Sequence, residues 1–514
     1  MSRRLALPRW AERLDPFVVI LVLAAAASRV VLAATGVGMD LSALGPDPAD
    51  HSWQLLDPVW LRHDLLHSVA SLTMQPPLYN LTVGLLLALP HALLSPAAAL
   101  LLFLGYLVTV LSAYGSMVLL GVDRRAGLVA TLVLVVLDPA QLLFSAHLFY
   151  ATPAAALMGA TTFLGIWMLT RPSWPRALAF ASAGAALALS NTLLQPLVLI
   201  AVLVVLVVAL RPWRRALVAG FVVPCLCLAG WMGLSLARVG TPATSTWFGM
   251  NLAHGVLRPA DPVLVASMVA KGQLSHLALV KPFSSLAESG VTPIHTGPRA
   301  SSAAIRPDGL PNLNNRAYAE VSSRYLADSV AFIEHQPAAY LSTVWLGLRL
   351  WAVPSDQYYF FYRQHHTSGW ETAYDTAVML QARHDQRLPK ALWERKGVSL
   401  PQVSVVLVLE TLLALVGGVV VMLRMRRGRR WTLAVALPWF LAAQAFLVST
   451  LTEYGENNRF RFEAGVPLLV VAVLAGAAAF DRVCRRRGDE GVAGRLDELG
   501  WSTDNTEDQT AREG

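Results

Sequence analysis

The chain has 514 residues, 55% hydrophobic and only 14% charged, with a formal net charge of +8. Soluble domains carry about 25% charged residues, so a chain this poor in charge cannot cover its surface as a set of soluble domains. The positive balance would mark a nucleic-acid partner only if it were gathered on one exposed face, and its placement along the chain is different.

In chain order, apolar segments near 17–35, 98–120, 128–148, 150–169, 177–192, 193–210, 215–237, 403–423, 431–449 and 464–480 read as candidate spans. A bilayer-crossing helix needs about 20 mostly apolar residues, and backbone in lipid must satisfy its own hydrogen bonds, so these are helices. Period-2 alternation of the barrel type is absent. The expected fold class is an all-α polytopic membrane protein with about 10–12 transmembrane helices, extracytoplasmic loops and juxtamembrane helices. The first span follows Arg3, Arg4, Arg9 and Arg13 and reads as a retained anchor rather than a signal peptide.

Arginine clusters recur at 124–125, 171–176, 211–215, 424–430 and 482–487. If each span crosses once, all of them fall on one side, which the positive-inside rule makes cytoplasmic, together with both termini. The segments 78–94 and 338–353 break this parity if they cross fully. The first is therefore expected to be re-entrant and the second to lie along the outer membrane face. The layout is an N-terminal transmembrane block (1–237) with an acidic first outside loop (36–77), an extracytoplasmic segment (238–402), a C-terminal transmembrane block (403–484) and a polar cytoplasmic tail (485–514) expected to be disordered. This topology places 22 basic and 12 acidic residues inside and 19 and 21 outside. The +8 is thus a topology signal that matches anionic membrane lipids, and no nucleic-acid partner is expected. Four Lys against 37 Arg points to a GC-rich bacterial genome and hence a plasma membrane. Of the three cysteines, Cys225 and Cys227 lie in a span and Cys484 follows the last one, which leaves no disulfide framework outside.

The first outside loop carries Asp40, Asp47, Asp50, Asp57 and Asp64. Carboxylates beside the bilayer can serve as a general base or bind a divalent cation through oxygen ligands. Taken singly, each is also an ordinary turn or cap residue. The loop closes with Gln75-Pro76-Pro77-Leu78-Tyr79-Asn80. An acidic first outside loop followed by a Gln-Pro-Pro-Leu motif resembles the GT-C superfamily of integral membrane glycosyltransferases, dolichyl-phosphate-mannose protein mannosyltransferases among them. The resemblance implies a sugar donor linked to polyprenyl phosphate, an extracytoplasmic acceptor that is a glycan or a protein, and a first-loop carboxylate as base. Family spacing favours Asp50 or Asp47, with Asp57 next. The adjacent acidic pair common in the family is absent here.

Two further stretches belong to the same outer face. In DPAQLLFSAHLFYATP (138–153), His147 and Tyr150 are cavity candidates, and Asp138 before Pro139 reads as a cap. In TEYGENNRFRFEAGVPLL (452–469), Arg459 and Arg461 are exceptions to the topology rule and ask for an anionic ligand. An arginine fork suits phosphate, and by the resemblance one of the two holds the donor phosphate. In an extended chain they would share a face. Gln75, Tyr79 and Asn251 complete the expected substrate cavity, and Asn191 is a weaker candidate. Asn80 opens a formal glycosylation sequon at the membrane, to which no role is attached. No Walker A motif, dinucleotide fingerprint or nucleophile elbow is present. Two other readings remain open from the sequence. One is a non-catalytic protein on the same scaffold. The other is a transporter or flippase of lipid-linked substrates, which would need polar groups at mid-span, where Glu410 and Gln444 are the main exceptions.

Overall fold

The computed structural model describes residues 15–45, 53–358, 361, 368–382, 402–424 and 428–486. Asp47 and Asp50, and the polar tail from 487 onward, lie outside the described residues.

The N-terminal half runs α1 (Pro16–Ala34), α2 (Pro58–His63), α3 (Leu65–Ala70), α4 (Pro77–Leu87), α5 (His91–Leu119), α6 (Arg124–Thr131), α7 (Pro139–Phe144), α8 (Ala151–Thr170), α9 (Trp174–Ala188), α10 (Pro196–Ala209) and α11 (Arg214–Val239). The polar segment contributes α12 (Phe248–Val256), α13 (Pro262–Ala270), α14 (Tyr318–His335), α15 (Pro337–Trp351) and α16 (Ser368–Ala377). The C-terminal half holds α17 (Val405–Arg424), α18 (Arg429–Thr452), α19 (Asn457–Glu463) and α20 (Gly465–Arg486). Among the described residues six helices are long and apolar enough to cross a membrane, or seven if the bent pair α19 and α20 counts as one. The chain is therefore a multi-pass helical membrane protein.

Several expected spans are shortened or broken, each for a local reason. The segment 128–148 is not one helix. A π turn covers Leu132–Val136, the chain leaves the helix at Leu137, and Asp138 restarts it as the cap of α7, its carboxylate accepting from the Ala140 N–H at 3.0 Å. Pro139 at the first helical position favours the break, because the residue before proline avoids helical geometry. The segment 78–94 gives the 11-residue α4, which Pro90 separates from α5. Eleven residues rise about 17 Å, well short of a hydrocarbon core of about 30 Å. α9 and α10 are 15 and 14 residues and are separated by the irregular stretch around Asn191.

α8 is the hub of the membrane block, packed against α5, α9 and α18. Its sequence is rich in Ala, Gly and Thr, which lets neighbouring backbones approach closely. A Cβ on Gly165 would stand 2.2 Å from the Leu437 side chain and 3.0 Å from Phe180. Arg29, inside the apolar α1, turns inward and donates to the Leu142 carbonyl at 3.3 Å and the Ser145 hydroxyl at 3.2 Å. A charge in a span is accommodated by such partners rather than by lipid.

A second apolar core joins the loop after α1 to the polar segment, with Leu55, Leu61 and Leu72 meeting Met250, Tyr325 and Phe332. α12 crosses α14 at Gly249, whose N–H is accepted by the Ser322 hydroxyl and where a Cβ would stand 1.8 Å from the Ser322 carbonyl oxygen. Buried asparagines stitch the two parts together. The Asn314 side-chain oxygen accepts from the N–H groups of Thr73 and Met74, and its amide donates to the carbonyls of Ser71 and Ala300. Asn314→Ala leaves those buried backbone groups unpaired, a cost on the order of 3 kcal/mol. The expected outcome is a clear fall in the thermal unfolding midpoint of the detergent-solubilised protein. An unchanged midpoint would show that the two parts do not depend on this contact.

Candidate active site

The breaks between helices converge on one open cleft. Seven separated parts of the chain supply its walls. Gln75 and Tyr79 come from the start of α4, Tyr150 from the residue before α8, Asn251 from α12, and Arg459 from α19. All five are candidates named from the sequence, and the fold brings them together. Asn191 joins them from the break between α9 and α10.

α19 organises the floor. All seven of its residues are buried, and its axis is bent 72° from that of α20. Because the stretch is helical rather than extended, residues two apart point to nearly opposite sides. The expected shared face of Arg459 and Arg461 is therefore not formed. Arg459 lines the cleft, while Arg461 does not: it donates to the Ser355 hydroxyl at 2.7 Å and lies 3.7 Å from Glu410.

Arg459 is 2% exposed and held on two edges. Nη1 donates to Glu463 at 2.6 Å, and Nη2 is paired with Glu456. Glu463 in turn accepts from the Asn191 amide at 2.7 Å, which ties α19 to the break between α9 and α10. The guanidinium also stacks near Tyr150, 4.9 Å from the ring centroid, and near Phe460 at 4.3 Å. Buried charges persist only with such partners, since a lone one is too costly to desolvate.

The opposite wall is aromatic. Trp53 and Trp247 flank Phe283, with ring centroids 5.2 and 5.0 Å apart. Phe283 has φ +65°, a left-handed conformation that costs a bulky residue roughly 1–3 kcal/mol and is retained where surroundings over-determine it. Tyr79 and Tyr150 meet edge to face at 5.7 Å. The carboxylate of Glu453 lies in the cleft, 3.5 Å from His254.

The remaining candidates are placed elsewhere. Asp57 is 1% exposed, caps α2 by accepting from the Val59 N–H at 2.8 Å, and faces Arg306 at 3.8 Å and the Asp308 N–H at 3.3 Å. It does not line the cleft. His147 is buried and bonded to Asp40 at 2.8 Å, also away from the cleft lining. Burial works to raise the Asp40 carboxyl, but the hydrogen bond and charge of His147 outweigh it and hold Asp40 well below the usual carboxylate range. Among the described residues no group of three or more His, Cys, Asp or Glu side chains is arranged to hold a metal ion.

Sequence reasoning misses Asn80, which carries no local signal beyond the sequon. It is fully buried, accepts from the Leu56 N–H at 2.7 Å and donates to the Gln54 carbonyl at 3.0 Å, so it pins the first loop to α4. Glu453 and Glu456 are visible in the sequence as acids beside Arg459, but nothing local indicates that they share its cleft.

No family model matches the sequence, and no curated protein matches it. Among solved structures, the chain is similar to the crystal structure of ArnT from Cupriavidus metallidurans bound to undecaprenyl phosphate, at 15% identity, covering 93% of this chain and 80% of that one, with a TM-score of 0.32. A likeness this distant transfers neither residues nor activity to this chain.

The buried relay from Asn191 through Glu463 to Arg459 should behave as one unit. Glu463→Gln removes one partner of a buried pair, a loss on the order of 3 kcal/mol. Asn191→Leu should cost about 1–2 kcal/mol. The double variant should lose less than the sum of the two, read as thermal unfolding in detergent. Full additivity would mean that the two side chains act independently.

Proposed function

We propose that this chain is a GT-C-type glycosyltransferase of a bacterial plasma membrane, which moves a sugar from a polyprenyl-phosphate donor to an extracytoplasmic glycan or protein acceptor. The observation that carries this reading is the composition of the cleft at the helix breaks: aromatic faces, side-chain amides, carboxylates and the Arg459 guanidinium, all against apolar helices. Aromatic faces suit the C–H faces of a sugar ring, and Gln75 and Asn251 suit its hydroxyls. Arg459 is the cleft-lining member of the predicted pair, and its fork suits a phosphate. The isoprenoid tail would lie among the membrane helices.

In the proposed reaction the acceptor oxygen attacks the anomeric carbon as the bond from that carbon to the phosphate oxygen breaks. The acceptor proton passes to a carboxylate, and polyprenyl phosphate leaves with its charge stabilised by Arg459. We assign the base to Asp50 first and Asp47 second. This order follows the spacing that the GT-C resemblance implies. Asp57 comes third because its carboxylate already caps α2 and faces Arg306. Glu453 is a further carboxylate in the same cleft.

The transporter reading loses its main support. Glu410 faces Arg461 at 3.7 Å, and Gln444 donates to the Leu193 carbonyl, so both mid-span polar residues have protein partners.

The test is transfer of radiolabel from polyprenyl-phosphate sugars in membranes containing the chain. Arg459→Gln should lower turnover by about 100-fold or more, as loss of a charge-stabilising donor does. Asp50→Asn should abolish turnover while leaving donor binding in place. If Asp50, Asp47 and Asp57 all tolerate Asn and Glu453→Gln is inactive, the base lies in the last outside loop. If no variant changes transfer, the enzyme reading is wrong.

A further inference from the structure

The Arg459 guanidinium faces two carboxylates, and the two are held differently. Glu463 is 1% exposed, does not line the cleft, and divides its oxygens between Asn191 and Arg459. Glu456 lines the cleft beside Arg459, its side chain is 14% exposed, and it pairs with the other terminal nitrogen, Nη2. Glu456 also stands where the chain turns. The preceding residue, Gly455, has φ +99°, a conformation glycine adopts without strain, and Glu456 is the last residue before α19 begins.

We propose that Glu456 is an internal stand-in for the donor phosphate. It occupies the cleft-side nitrogen of Arg459, and donor binding displaces it while Glu463 keeps the guanidinium in place. The inference rests on the reading that Arg459 binds the donor phosphate. With both carboxylates ionised, the trio carries a net charge of −1 and repels a phosphate. Once Glu456 is displaced, Arg459 and Glu463 balance, and Nη2 is presented to the incoming anion. The exchange keeps a buried guanidinium paired at every stage, so the cost of an isolated buried charge is never met. The consequence has a definite sign. A residue that merely supports the fold or touches the donor favourably weakens binding when altered, whereas a competing anion strengthens binding when neutralised.

The test is binding of undecaprenyl phosphate to the full chain in nanodiscs, with undecaprenol as the uncharged control, for wild type, Glu456→Gln, Glu456→Ala and Arg459→Gln. The alanine variant is included because glutamine still offers an oxygen to Arg459. Neutralising Glu456 should tighten undecaprenyl phosphate by about tenfold and leave undecaprenol unchanged, while Arg459→Gln weakens the phosphate alone. If both Glu456 variants bind the phosphate equally or more weakly while Arg459→Gln loses affinity, the stand-in is overturned and the phosphate role of Arg459 survives. Equal tightening of undecaprenol would also overturn it, because that indicates a loosened cleft. If Arg459→Gln binds undecaprenyl phosphate as wild type does, the underlying assignment of the phosphate to Arg459 fails instead.

Discussion

The ion pair between Arg459 and Glu463 is the constraint on which the cleft depends. Both residues sit on one short buried helix, one turn apart, and are only 2% and 1% exposed. A pair so placed is maintained only if every neighbour supplies a partner or a polarisable face. Asn191 supplies one, the Tyr150 ring another, and Glu456 a third. Satisfying one cation thereby fixes where the α9–α10 break, the start of α8 and the loop between α18 and α19 must meet.

The same requirement explains the helix breaks. Irregular backbone at membrane depth is tolerated where it is buried in protein or lines a cavity. Gln75-Pro76, Tyr150, Asn191 and Glu453 all stand at helix ends, and all line the cleft. Prolines at the first helical position of α4 and α10 make two of these starts sharp. The interruptions are therefore what opens a polar site in an apolar bundle.

The polar segment closes that site from the other side. Its buried asparagines and the Arg306–Asp57 contact fasten it to the loop between α1 and α4, which is itself pinned to α4 by Asn80. Asp57 and Asn80 thus hold the walls in register, and the cleft receives Trp53 and Gln54 from the loop so positioned.

Much of this is readable along the chain. The membrane class follows from composition, and Gln75, Tyr79, Tyr150, Asn251 and Arg459 are legible because each is a polar or aromatic residue beside a helix-breaking or topology-breaking feature. Such signals are local, since proline, charge and hydropathy act within a turn or two of where they stand. Which of the two arginines enters the cleft is not local. It depends on the stretch being helical, and that helix is held by burial against α8, α15 and α18. The aromatic wall at Phe283, the placement of His147 with Asp40, and the pinning role of Asn80 are equally hidden, because each rests on contacts between distant parts of the chain. The sequence by itself determined what kinds of group are available at the membrane face. Only the tertiary structure decided which of them meet, because the partners that make a buried charge tolerable come from segments hundreds of residues apart.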